Sequence, residues 1–365
     1  MVVRRICLVI HSLQAGGMER VMTELANYFG KEESVSVDLV LYGVDREVFY
    51  PVPPNVQLHV PPFAFNNKFR AASTIRTLFF LRSKVKKLAP CAVLSFGELW
   101  NSFVLIALFG LPFHVFVSDR SQPDKSLGKI HDRLRRWLYP GATGVIAQTH
   151  IAAEIYSKMY KPRHLRVIGN PIREIPLDES LRKKDILMVG RLIQSKHQDQ
   201  LIEIFATLEA KEWRLILIGE DHLKQSHMAR LKELASTLGV ADCVEFLGKR
   251  SDVDQFYRTS SIFAFTSSSE GFPNVIGEAL ASGLPVVCYD CVAGPSEMIR
   301  DGYNGFLIPL FHKEVFAAKL QELVNDSNLR QQMSENARES MAPYSIETIG
   351  KKYYDFLLSP NIAKF

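Results

Sequence analysis

At 365 residues the chain is long enough for two domains of ordinary size, and 47% hydrophobic with 23% charged residues excludes disorder. The net charge of +5 is unevenly placed: residues 1–170 carry 22 Lys and Arg against 12 Asp and Glu, and the remainder 22 against 27. A basic first half beside an acidic second half confines any anionic surface partner to the first, and the lack of a base-reading module argues against nucleic acid.

The first apolar run breaks at His11 with no small-residue cleavage site, so residues 6–11 read as a strand and not as a signal peptide. Short β-branched runs at 36–42, 56–60, 92–96, 114–118 and 145–148 then alternate with helical patterns at 17–29, 71–88, 99–108 and 130–138. Strands this short, without polar alternation, are buried on both faces and predict a parallel sheet covered by helices. The longest apolar stretch, 103–113, falls far short of the ~20 residues of a membrane span. Residues 169–176, Gly-Asn-Pro-Ile-Arg-Glu-Ile-Pro, lose all periodicity and read as a linker.

The pattern then restarts, with strands at 185–189, 214–218, 243–246, 262–266 and 286–289. Helices at 198–208, 225–238, 253–257 and 274–281 separate them, and helical segments at 313–325, 329–341 and 345–358 follow. The fold class predicted is α/β, with two doubly wound, Rossmann-like parallel-sheet domains facing a cleft. The expected boundaries are 1–170 and 171–344, with 345–365 a C-terminal helix packing back on the first domain. Five cysteines form no even framework. Cys288 and Cys291 spell C-x-x-C, but no second pair or nearby His completes a metal set, so reduced thiols are the expectation.

Three segments carry chemistry. Gly16 and Gly17 stand where the first strand gives way to a helix, whose free N–H groups attract phosphate; a purely conformational role is the alternative. G-x-G-x-x-G is absent, which takes most of the support from a nicotinamide cofactor. At the start of the second series, Arg191 and Lys196 flank a turn after a strand and can converge on one diphosphate, or else are two solvated cations. In Ser269-Glu-Gly-Phe-Pro-Asn-Val-Ile-Gly-Glu278, Glu270 lies on a loop, Pro273 suits a first helical turn, and Glu278 follows about a turn and a half later. Such carboxylates accept from both members of a vicinal diol, whereas the bland reading makes them a helix-dipole partner and a surface residue.

Together these elements resemble the family 4 glycosyltransferases, retaining enzymes of the GT-B fold, and within them the bacterial members that assemble polysaccharides and lipid-linked oligosaccharides. The pieces stand in family order along the whole chain: Gly-Gly-Met-Glu-Arg20, Gly190-Arg191 with Lys196, Phe246-Leu-Gly248, the E-x7-E pair Glu270/Glu278, Ser282-Gly-Leu-Pro-Val286 and Gly294-Pro-Ser-Glu297. The resemblance implies that Arg191 and Lys196 hold the donor diphosphate and stabilise the leaving nucleotide without a metal. It implies that Glu278 takes the ribose hydroxyls and Glu270 those of the transferred sugar. The backbone of Phe272, Pro273, Asn274 and Val275 would lie against sugar and phosphates, Lys249 and Arg250 near the nucleobase, and Gly16 and Gly17 against the diphosphate from the other domain. Where many relatives carry a histidine near the reacting sugar, this chain reads Ser118-Asp-Arg-Ser-Gln-Pro123, which puts Arg120 in that place.

The implied reaction is metal-free retaining transfer of a hexose or N-acetylhexosamine, with UDP the favoured nucleotide, to a hydroxyl of a lipid-linked oligosaccharide or polysaccharide precursor. No cofactor beyond the nucleotide-sugar donor is expected. Residues 66–88 hold seven cations and no acid, and Ile75, Leu78 and Phe79 among them suit a basic amphipathic helix on anionic lipid. A second cluster, 129–137, adds three arginines and Trp137. Both predict a peripheral protein on the inner face of the cytoplasmic membrane. The competing readings are a UDP-sugar 2-epimerase on the same fold and a non-catalytic partner subunit.

Overall fold

Runs of Val, Ile, Leu and Phe become strands buried on both faces, and every pairing between named strands in the computed structural model is parallel. The structure describes residues 3–14, 16–44, 47–176, 182–221 and 226–359. They divide into two units, residues 1–171 with 346–365, and residues 172–345.

The first unit runs β1 (Arg4–Ile10), α1 (Gly17–Gly30), β2 (Val35–Leu41), β3 (Val56–His59), α2 (Arg70–Leu88), β4 (Ala92–Phe96) and α3 (Glu98–Leu108). It continues through β5 (His114–Ser118), α4 (Lys129–Leu138), β6 (Gly144–Ala147), α5 (His150–Tyr160) and β7 (Leu165–Val167). Its seven strands lie in the order β3-β2-β1-β4-β5-β6-β7. The second unit runs β8 (Asp185–Val189), α6 (Gln198–Thr207), β9 (Arg214–Ile218), α7 (His227–Thr237), β10 (Val244–Gly248) and α8 (Val253–Thr259). Then come β11 (Ile262–Phe265), α9 (Asn274–Ala281), β12 (Val286–Asp290), α10 (Pro295–Met298), β13 (Gly305–Pro309), α11 (Lys313–Asn325) and α12 (Ser327–Glu339). Its six strands lie in the order β10-β9-β8-β11-β12-β13. The last helix, α13 (Ile346–Leu357), belongs to the first unit.

Both sheets reverse their winding once, between β1 and β4 and between β8 and β11. At such a switch point the two following loops part, leaving a crevice at the strand C-termini where doubly wound sheets bind ligands.

Several expectations need correction. Helix α5 and strands β7 and β13 were absent from the predicted elements, as was the one-turn α10. Within the predicted linker Asn170, Ile172 and Ile175 are each 4% exposed, and Ile172 and Ile175 join the second unit's core. Pro and Gly mark a loss of regular structure, which is a different property from exposure. Helix α12 starts at Ser327 and not at 329, because the Asp326 carboxylate accepts from the backbone N–H of Asn328 and Leu329, both at 2.9 Å. The start predicted at 225 for α7 falls outside the described residues.

Candidate functional site

The second unit's switch point brings together side chains from two loops. After β8, a single turn of 3₁₀ helix at Gln194–Lys196 carries Lys196 inward. After β11, Thr266 Oγ1 donates to the carbonyls of Lys196 (2.8 Å) and His197 (2.9 Å), while Ser268 N donates to Ser195 O at 2.9 Å. The His197 ring closes the brace through Nε2 to Ser268 Oγ at 2.8 Å, and burial lowers its pKa. So fixed, Lys196 Nζ donates to Glu270 Oε1, with only 15% and 12% of the two side chains exposed. The ammonium also lies 4.9 Å from the Phe265 ring centroid. Arg191, earlier on the same loop, is exposed, and its carbonyl accepts from Gln198 Nε2 at 2.9 Å.

Glu278 stands at the fifth position of α9, 4% exposed. Its Oε1 accepts from Arg173 Nε at 3.4 Å, and Arg173 forms a second, two-point pair with Asp254. Burial alone would lower the Arg173 pKa, but the Asp254 hydrogen bond and the Glu278 charge outweigh it and raise the value. Arg173 was missed in the sequence because it sits in the supposed linker. Its signal was the one cation of that segment, next to Glu174.

The start of α9 is shaped by Pro273 and Gly294. Pro273 is the residue before the helix and not its first turn, and Asn274 and Val275 open the helix with no side-chain cap from the preceding residue. Gly294 packs on Pro273 at φ +110°, where a Cβ would overlap Pro273 Cδ, so only glycine fits. Phe272 is 7% exposed, its ring 5.9 Å from that of Tyr344. The N-terminal end of a helix favours an anion.

Lys249 pairs with Glu220 at 3.6 Å, and Arg250 makes a two-point pair with Asp252 at 2.8 and 2.5 Å. Gly16 needs no glycine freedom, since it is extended at φ −170° and ψ 159°. A Cβ there would meet only the carboxylate of Glu19, which accepts from Ser12 Oγ at 3.2 Å and already lies at the start of α1, whose first residue is the exposed Gly17. Arg120, expected beside the reacting sugar, has its side-chain partners within the first unit. It donates to Asn170 Oδ1 at 2.6 Å and Tyr353 OH at 2.9 Å, with its guanidinium carbon 3.3 Å from the Phe96 centroid. This ties α13 to the first sheet, and burial lowers the Arg120 pKa. Neighbouring Asp119 pairs with the 2%-exposed Arg135 at 2.5 Å, so one of the three arginines expected at a lipid surface faces the interior.

Cys288 and Cys291 are free and buried, and burial pushes the Cys291 thiol up to about 12. Among the described residues no group of three or more His, Cys, Asp or Glu is placed to hold a metal ion. None of the helices described is long and apolar enough to cross a membrane.

Comparison with known proteins matches residues 15–174 to the model of Glycosyltransferase Family 4 and residues 173–340 to that of Glycosyl transferases group 1. The chain is 25% identical over 356 residues to the amylovoran biosynthesis glycosyltransferase AmsD of Erwinia amylovora, covering 94% of this chain and 96% of that protein. It is 26% identical over 360 residues to a Campylobacter jejuni α-1,4-N-acetyl-D-galactosaminyltransferase, named for an undecaprenol-PP-linked saccharide, covering 96% and 97%. Among solved structures, Anabaena HepE in complex with UDP matches with a TM-score of 0.83 at 20% identity, covering 97% of this chain and 100% of that one.

Proposed function

The chain belongs to the family 4, or group 1, glycosyltransferases of the GT-B fold, and from that premise we propose that it transfers a hexose or N-acetylhexosamine from UDP, with retention, to a lipid-linked saccharide. The observation that carries this reading is the set on the loops of the second switch point: Lys196 against Glu270, the exposed Arg191 earlier on the same loop as Lys196, and Glu278 in α9. Two cations and a helix start suit a diphosphate, and two carboxylates suit hydroxyls of ribose and sugar.

In the proposed reaction the acceptor hydroxyl forms a bond to the anomeric carbon on the face from which the nucleotide departs. The bond from that carbon to the phosphate oxygen breaks, and the hydroxyl proton passes to the departing phosphate. Arg191 and Lys196 stabilise the charge gathering there, which is the role a divalent metal plays in other transferases. Support for UDP comes from the nucleotide in the HepE complex, and support for a lipid-linked acceptor from the name of the Campylobacter relative.

The surface of the first unit supports the same acceptor class. Phe69, Ile75 and Phe79 of the α2 region, Phe109 after α3, and Ile130 and Trp137 of α4 are 57–75% exposed. Arg82 of α2 donates to the carbonyls of Ala107 and Phe109, which joins α2 to the end of α3. A cavity of about 390 Å³ opens there between Phe109 and Trp137. Apolar side chains among cations are suited to the headgroup boundary of an anionic membrane, on its cytoplasmic face.

The test is donor turnover across UDP-, GDP- and TDP-linked sugars, with and without a chelator. We expect slow hydrolysis of a UDP-sugar, unchanged by the chelator. Turnover of no donor would remove the transferase reading, and a strict metal requirement would remove its metal-free form.

A further inference from the structure

Arg173 stands in the middle of a row of three charged groups that ends on Glu278. Its two terminal nitrogens pair with the Asp254 carboxylate near the start of α8, Nη1 at 2.6 Å from Oδ2 and Nη2 against Oδ1. Its Nε donates to Glu278 Oε1 at 3.4 Å, a longer contact. Exposure falls along the row, from 39% for the Asp254 side chain through 30% for Arg173 to 6% for Glu278. A carboxylate as enclosed as Glu278 needs a cation, and a guanidinium can serve two carboxylates from different edges.

The backbone fixes where this guanidinium stands. Ile172 N donates to Tyr344 O at 2.8 Å, and the Tyr344 ring lies 5.9 Å from that of Phe272, on the loop before α9. The buried Ile172 side chain seats on α9 at Gly277, where a Cβ would fall 2.5 Å from Ile172 Cδ1. Gly277 immediately precedes Glu278, so the missing side chain lets residues 172 and 173 close on the helix beside the carboxylate. Asp254 holds the guanidinium from its far end, which leaves Nε as the edge that meets Glu278.

Resting on the transferase reading above, in which Glu278 takes the ribose hydroxyls, we infer that Arg173 is a positioning residue for nucleotide recognition. It holds the Glu278 carboxylate in the orientation that receives the ribose. A glutamate side chain gives up rotamer freedom when it binds a hydroxyl, and one already held gives up less. With Asp254 on both terminal nitrogens, Arg173 acts through Glu278 and not on the phosphates. Its effect is therefore confined to the ribose. A plain structural tie between α8 and α9 would instead support every ligand of the unit alike.

The test is calorimetric titration of the full chain with UDP and with 2′-deoxy-UDP, which differ by one hydroxyl that the carboxylate would accept from. The parent should prefer UDP by about tenfold or more, because a site built around a hydroxyl rejects the analogue that lacks it. Arg173→Gln should bring UDP down to about the level of 2′-deoxy-UDP, and leave 2′-deoxy-UDP within about twofold of the parent. Arg173→Lys guards against misfolding, since it keeps a cation between the two carboxylates without the planar fork, and it should lose about threefold or more of the preference. A folded variant that keeps the full preference overturns the inference, and so does an equal loss of both nucleotides. Glu278→Gln separates this inference from the reading beneath it. If that variant loses the preference while the Arg173 variants keep it, only the role of Arg173 falls. If it too keeps the preference, or the parent shows none, the ribose assignment of Glu278 falls and takes the role of Arg173 with it.

Discussion

Lys196 and Glu270 neutralise each other in a nearly closed setting, and this makes their substitutions informative in combination. Lys196→Ala leaves the Glu270 carboxylate, 12% exposed, without its cation. That should destabilise the unit by about 1–3 kcal/mol, and lower the thermal midpoint by roughly 2–8 °C. Transfer should fall by about 10²–10³-fold if Lys196 meets developing charge on the departing phosphate. Adding Glu270→Gln removes the stranded charge, so the double variant should recover most of the midpoint and none of the rate. Melting curves and initial rates on the parent and the two variants decide the matter. A double variant that regains transfer would make the pair a structural lock and not a donor contact.

At the scale of elements, helix α2 shows what a residue pattern can and cannot disclose. Its run of cations is plain in the sequence, but the expected lipid face of Ile75, Leu78 and Phe79 is divided: Ile75 and Phe79 are 57% and 63% exposed, whereas Leu78 packs on the core beside Leu81 and Val85. Helical spacing fixes which residues share a face and leaves open how far around the helix its neighbours reach. The same distinction holds elsewhere. The strands β8 to β12 were legible as short apolar runs ended by turns, while β7 has only three residues and β13 begins at Gly305 and ends at Pro309, which read as loop punctuation. The grouping of Lys196 with Glu270 followed from topology, since both loops leave the one switch point. The pairings of Arg120 and Arg173 were not legible, because Tyr353 and Asp254 lie 233 and 81 residues away along the chain. For α2 the consequence is testable by vesicle flotation at low salt. The parent should float with vesicles containing anionic lipid, and Ile75→Asp with Phe79→Asp should abolish flotation while leaving UDP-sugar hydrolysis intact. Each cation near the surface contributes about 1 kcal/mol, so raised salt should release the parent too. A parent that stays in solution at low salt removes the membrane argument.

At the scale of the whole molecule, the chain's return to its first unit couples its two ends. Helix α13 buries Ile349, Tyr353, Phe356 and Leu357 against that unit, with Phe356 edge-on to Phe116 at 5.2 Å. Arg4, in the first strand, donates to Tyr354 OH at 2.5 Å, and Arg120 holds Tyr353. Burial of four such side chains contributes roughly 6–12 kcal/mol, comparable to the roughly 5–15 kcal/mol that separates a folded domain from its unfolded chain. A chain ending at Ser345 should therefore lose the first unit's fold while the second, whose hydrophobic core includes no described residue of α13, keeps its own. Two signals check this. Limited proteolysis should degrade residues 1–171 and spare a core of 172–345, and UDP binding should persist in that fragment although transfer is abolished. Persistent first-unit structure in the shortened chain would mean that α13 is an accessory and that the first sheet holds itself together. Loss of both units at once would mean that the return of the chain stabilises more than the sheet it touches.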